Sequence, residues 1–224
     1  MFMKAIERIK KTAKKYSHAW VLLYAFIYMP WFLYLENRTG VDYFWIHSPL
    51  DDYIPFVEYF VVPYLLWFMF IIATATYLFF TDKKGFYRFA AFLITGMTLF
   101  LIICTVFPNG QHLRPTTFAR DNIFVDLVKY VYSKDTSTNV LPSIHVFNSI
   151  GACIAIAYDE RLKKHRPIQW AAYILAVLII LSTVFLKQHS VTDGIAAIAM
   201  ACIIYPFVYA TQERKVPKLS HQPI

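Results

Sequence analysis

The sequence is short of charge. Only 16% of its 224 residues are Asp, Glu, Lys or Arg, against 58% hydrophobic and 18% aromatic. That balance excludes an ordinary soluble domain and indicates a polytopic membrane protein. Cysteine is scarce as well. Cys104, Cys153 and Cys202 each lie inside an apolar run. Their spacing fits no metal motif, and they read as small core residues rather than disulfide partners. Repeats, low-complexity tracts and linkers are absent, which leaves one domain. The first apolar run lacks a small-residue cleavage site and is followed by bulky Trp31, Phe32 and Tyr34, so it is expected to remain as a span. A net charge of +8 is compatible with nucleic-acid binding, but the basic residues cluster in short loops between apolar runs. Membrane orientation explains them better, and no nucleic-acid partner is expected.

Six apolar runs are present, at roughly 19–35, 54–80, 86–107, 143–158, 168–186 and 190–210. Most approach the ~20 residues that cross ~30 Å of hydrocarbon. The expected class is therefore all-α, with six transmembrane helices over 19–210. The run 143–158 is short and carries Ser143, His145, Asn148 and Ser149, so it is expected to be buried among the others.

Loop charges orient the spans. One side holds 16 of the 22 Lys and Arg residues; the other holds Arg38, Arg114, Arg120, Lys129, Lys134 and Lys187. The positive-inside rule then places both termini in the cytoplasm. Residues 1–18 read as an interfacial helix on an anionic leaflet or as a basic tail, and 211–224 as a cytoplasmic tail. In the long outer loop 108–142, the stretch Asp121 to Tyr132 places Ile123, Phe124, Leu127, Val128 and Val131 on one face. A short amphipathic helix lying over the outer ends of the spans is expected there.

Three polar strings fall on that outer side: Leu113-Arg114-Pro115, Leu141-Pro142-Ser143-Ile144-His145, and Lys187-Gln188-His189-Ser190-Val191-Thr192-Asp193. Charged and ionisable groups at membrane boundaries are costly unless they act. Singly, each has a bland reading: Arg114 can snorkel and Asp193 can cap a helix, while His18, His47, His112, His165 and His221 read as interfacial. Together they form a set. His189 and Asp193, four residues apart, share a helix face. Asp193 can fix the tautomer of His189 and leave its other nitrogen a better nucleophile. Ser143 and His145 open a helix just after Pro142, a residue suited to a first turn, where free N–H groups favour a phosphate. Arg114 can add a bidentate contact. His145 can protonate a leaving oxygen. Phosphoryl transfer through a phosphohistidine needs these parts and no metal or cofactor.

These strings resemble the three signature motifs of the type 2 phosphatidic acid phosphatase superfamily, the lipid phosphate phosphatases. Pro142-Ser143-Ile144-His145 is similar to that family's Pro-Ser-Gly-His. Ser182 through His189 and Asp193 is similar to its Ser-Arg, five residues, His, three residues, Asp. Arg114-Pro115 retains the end of its first motif. The resemblance runs over roughly residues 86–210. It implies six spans with an outward site, His189 as nucleophile, Asp193 as its partner, His145 as general acid, and Ser143 and Arg114 as phosphate holders.

The departures are specific. The family's first-motif lysine falls on Phe107, its third-motif arginine on Thr183, and Ile144 replaces the glycine. Lys187 is expected to supply one of the missing cations. Ser-Ile-His with Lys-Gln-His is more similar to the inositol phosphorylceramide synthase branch, which moves a phosphorylated head group between lipids. Phosphomonoester hydrolysis and phosphodiester transfer both follow from the resemblance, as does a catalytically inactive lipid-binding or transport protein. The expected partner is a phospholipid, polyprenyl phosphate or sphingolipid substrate in the membrane, and the compact chain suggests a bacterial plasma membrane.

Overall fold

The structure is a computed structural model, and it describes residues 6, 7, 11 and 14–210. The expected interfacial segment 1–18 lies mostly outside the described residues, and the tail 211–224 lies wholly outside them. A 3-10 segment, Ser17–Tyr24, runs into helix α1, Ala25–Asn37. A strand β1, Phe44–Trp45, and a short helix α2, Pro49–Tyr53, follow. Helix α3 is Val61–Thr81 and α4 is Lys83–Val106. Strand β2, Asn109–Gly110, precedes α5, Ile123–Lys134. Helices α6, Ile144–Tyr158, α7, Arg166–Phe185, and α8, Val191–Tyr205, complete the described chain.

Four of the starts have a local cause in the sequence. Asp82 caps α4 through Lys84 N at 3.0 Å, and Asn122 caps α5 through Phe124 N and Val125 N at 3.0 and 3.1 Å. Proline sits in the first turn of α7, where its missing N–H costs nothing. Ser190 and Asp193 form a reciprocal capping box at α8.

Among the described residues, five helices are long and apolar enough to cross a membrane: Ser17–Asn37, Glu58–Thr81, Lys83–Val106, Arg166–Phe185 and Val191–Tyr209. They match five of the six expected runs. The sixth run is α6, with 15 residues. It packs against α3, α4, α7 and α8, and 9 of its 15 residues are buried. Large apolar side chains such as Phe26, Leu33, Met69, Ile72, Val177 and Ile203 point outward. An apolar exterior around a polar-bearing interior is the pattern of an integral membrane protein.

α4 and α6 approach closely at Gly96. A Cβ there would lie 2.1 Å from Phe147 Cε1. Phe147 in turn stacks on Phe92, ring centroids 4.6 Å apart. Small residues let membrane helices close to backbone contact, which dispersion then rewards.

Some expectations change. The buried face of α5 is Val125, Val128 and Val131, whereas Ile123 is exposed. The helix docks Val128 and Val131 on Val61 and Tyr64 of α3 and on Leu186. Pro142 precedes the N-cap Ser143 and so lies outside the first turn of α6. His18 is a core residue, not an interfacial one. It is buried, lies 2.9 Å from Phe79 O through Nε2, and its ring packs on Phe79 and Phe86. Cys104 is buried, but Cys202 is exposed on the apolar exterior.

Candidate active site

The ends of α1, α4 and α7 and the starts of α3, α6 and α8 meet at one end of the bundle, where the three polar strings converge. The β1–β2 pair organises the loop above them. Phe44 pairs with Asn109 and Trp45 with Gly110, in parallel. Asn109 is fully buried, and its Oδ1 accepts from Val140 N and Leu141 N, both at 2.9 Å. That amide fixes the strand that delivers Ser143 to the head of α6.

The turn between α7 and α8 carries His189. Gln188 N and His189 N both donate to Thr183 O, at 2.9 and 3.0 Å. Thr183, standing where the family has an arginine, thus contributes its backbone. Lys187 sits at φ 52°, a left-handed conformation costly for any residue but glycine. The turn is held from outside. Gln111 Nε2 donates to Lys187 O at 2.9 Å, and Tyr132 OH donates to Leu186 O at 2.5 Å. Neither Asn109 nor Gln111 had a motif to announce it.

His189 and Asp193 meet, but not on one helix face as expected: His189 precedes the N-cap Ser190, and Asp193 turns back from the third position of α8. Nδ1 of His189 lies 3.2 Å from Asp193 Oδ2. The same oxygen accepts from Ser190 N at 3.0 Å. Asp193 therefore caps the helix and orients the imidazole at once. Its other oxygen is buried without a partner among the described residues. The His145 ring stacks on Tyr64, centroids 4.6 Å apart, and leans on Trp67 at 4.3 Å. It faces His189 at 5.7 Å, ring to ring. Ser143 N donates to Asp193 O at 3.1 Å, which ties the second string to the third. Ser143 Oγ is buried and has no partner among the described residues. The unpaired first-turn N–H groups of α6 point the same way by helix geometry.

Arg114 joins the network through Gln188. One guanidinium nitrogen donates to the Gln188 side-chain oxygen and to Thr136 O. The other donates to Asp135 O at 2.7 Å. The guanidinium also lies over the Tyr132 ring at 4.5 Å. Burial lowers its pKa from the ordinary value, against the pull of Asp135, yet a guanidinium stays charged. Arg114 thus clamps the end of α5 to the residue beside His189. Lys187 reaches elsewhere: its Nζ donates to Asp51 O at 2.7 Å. Burial pulls its ammonium below the usual lysine range, opposed by Asp51 and Asp52.

His145 and His189 open on a small cleft of about 30 Å³, also lined by Phe32, Glu36, Phe100, Asp135, Asn139 and Gln188. Glu36 accepts from Thr136 Oγ1 at 2.6 Å and Asn139 Nδ2 at 2.7 Å. Asp135 accepts from Tyr64 OH at 2.8 Å. Two carboxylates beside two histidines were not foreseen from the sequence, because Glu36 closes a span and Asp135 a loop helix.

Comparison with known proteins agrees with the geometry. The family model described as the PAP2 superfamily matches residues 89–217, a stretch that holds all three strings. The chain is 26% identical over 145 residues to a lipid A 4'-phosphatase of Porphyromonas gingivalis. That alignment covers 62% of this chain and 59% of the relative, so the chain spans about three fifths of the relative's length. No solved structure matches.

Proposed function

The chain belongs to the PAP2 superfamily, and on that premise we propose that it is a membrane enzyme hydrolysing a lipid phosphomonoester through a phosphohistidine. The observation that carries this is the pairing of His189 Nδ1 with Asp193 Oδ2 at 3.2 Å, with the His145 ring 5.7 Å away across the cleft. Nε2 of His189 attacks phosphorus as the bond to the lipid oxygen breaks. His145 gives that oxygen its proton. Asp193 holds Nδ1–H and stabilises the positive charge that develops on the ring. Water then attacks phosphorus as the P–N bond to His189 breaks, His145 takes the water's proton, and inorganic phosphate leaves. The buried, unpartnered Ser143 Oγ and the head of α6 cradle the phosphoryl oxygens, with Arg114 as the nearby cation. Lys187 fastens the turn at Asp51 instead of facing the phosphate.

α6 is the sixth crossing in this reading, shortened because it is sheathed by four neighbours. The 16 Lys and Arg residues on the opposite side support a site on the non-cytoplasmic face. The similarity to a bacterial lipid A 4'-phosphatase supports hydrolysis of a phosphate on a bacterial lipid.

A second reading is transfer of a phosphorylated head group to an alcohol acceptor, as in the inositol phosphorylceramide synthase branch. It is favoured by Glu36 and Asp135 in the cleft lining. Carboxylates repel a phosphate and accept hydrogen bonds from hydroxyl groups.

The test is to incubate purified protein with ³²P-labelled lipid phosphates, with and without EDTA and with and without alcohol acceptors. An acid-labile, base-stable label, resistant to EDTA and absent in His189→Ala, is expected. A well-folded His189→Ala protein that still releases phosphate would end the proposal.

A further inference from the structure

Asp51 belongs to the five-residue helix α2, outside the 89–217 stretch that the family model matches. Its side chain is 2% exposed. Part of its role is local: Ser48 N donates to Oδ2 at 2.8 Å and closes the cap of α2. A carboxylate that only caps a short surface helix stays in water. Its neighbour Asp52 does so, with a 64% exposed side chain bonded to His47. Asp51 is instead driven into the turn that carries His189. Ser190 Oγ donates to Oδ2 at 2.6 Å, Val191 N donates to Oδ1 at 2.9 Å, and Lys187 Nζ donates to Asp51 O at 2.7 Å. One residue therefore grips the chain on both sides of His189.

The grip continues to the imidazole. Ser190 gives its hydroxyl to Asp51 and its N–H to Asp193 Oδ2, and that Asp193 oxygen meets His189 Nδ1. The donors on Asp51, two N–H groups and a hydroxyl, all suit an ionised carboxylate. Placed at the N-terminus of the 15-residue helix α8, its charge also complements the helix dipole.

We propose that Asp51 is a positioning residue for His189, acting through Ser190 and Asp193 to hold the imidazole in one tautomer and orientation. The proposal rests on the reading of His189 as nucleophile. It adds that the N-terminal part of the chain completes the site.

Asp51→Asn must turn an N–H toward a donor, so the Val191 or the Ser48 contact is lost while volume is kept, and the Ser190 hydroxyl has to reverse from donor to acceptor if the NH₂ takes the Oδ2 place. Turnover is expected to fall roughly 10- to 100-fold, the scale seen when partners that orient metal-bound histidines are removed, with KM within about threefold. Ser190→Ala removes the hydroxyl's bond to the same carboxylate together with its cap on Thr192 N. Because both act along one path, the double variant should be no slower than the worse single variant. Nitrogen-15 histidine spectra in detergent read the His189 ring without turnover. A single Nδ1–H tautomer is expected in the wild type and a mixture in both variants.

A lower melting temperature with unchanged kcat and an unchanged ring, or multiplicative losses in the double variant, would overturn the proposal. If Asp51→Asn does not fold, Ser190→Ala decides by the same readouts. If the wild type turns over no lipid phosphate while the ring shifts in the variants, the phosphatase reading fails and the positioning role stands. If His189→Ala is dead and Asp51→Asn is silent, the positioning role fails alone.

Discussion

Replacing Asp193 by Asn tests the centre of the site, and the structure sets the size of the effect. The carboxylate is fully buried. Oδ2 serves His189 Nδ1 and Ser190 N, while Oδ1 has no partner among the described residues. An asparagine can keep its carbonyl toward the two donors. Its NH₂ group then falls where Oδ1 was, buried and without an acceptor, at a cost of about 1–3 kcal/mol. The flipped amide is worse, since it faces two donors with a third. For a chain of this size, roughly 2–4 °C of melting temperature per kcal/mol gives a drop of about 2–12 °C. The chemistry suffers more. Exchanging the carboxylate partner of a catalytic histidine for an amide lowers kcat by about 10⁴ in a serine protease. Here Ser190 N still helps to hold the segment, so a fall of about 10²–10⁴ is expected. Thermal melts and initial rates with a labelled lipid phosphate, measured in one detergent, separate the two effects. A melting temperature that falls while kcat stays within threefold of wild type would show Asp193 to be a cap alone, and would refute the catalytic reasoning.

Gly96→Ala should lower the melting temperature by several degrees, since its Cβ would lie 2.1 Å from a Phe147 ring that is already stacked on Phe92, and overpacking of this kind costs about 1–3 kcal/mol. Melts in detergent check it, and Phe147→Leu in the same background should restore part of the loss. Burial lowers the Lys187 pKa, so below the unfolded lysine value near 10.5 the unfolded chain binds the proton more tightly than the folded one. Stability should therefore rise with pH through the window just below 10.5. Lys187→Met should flatten that rise in melting temperature against pH, and an unchanged slope would argue against the partly buried placement of the ammonium.

Much of the fold follows from apolar length and local spacing, which are properties of the chain alone. Runs near 20 residues must hydrogen-bond internally in hydrocarbon, so five of them appear as spanning helices. The polar content and shortness of 143–158 marked a helix that needs cover, and α6 is that helix. His189 and Asp193 do meet, but not as neighbours on one helical turn: His189 lies ahead of the Ser190 N-cap, and Asp193 at the third helical position turns back to reach it. The buried face of α5 was only partly legible: Val128 and Val131 turn inward as expected, but Val125 joins them in place of Ile123. A short helix with apolar residues on more than one side has its inner face chosen by what it docks on. The side chains that hold the turn carrying His189 were not legible. Asp51 reaches Ser190 across 139 positions, Gln111 reaches Lys187 across 76, and Arg114 is engaged by carbonyls around Tyr132 to Thr136 and by Gln188. Such contacts carry no period and no motif. They exist because backbone and charged groups removed from water must find partners, and only the packed bundle determines which partners are within reach.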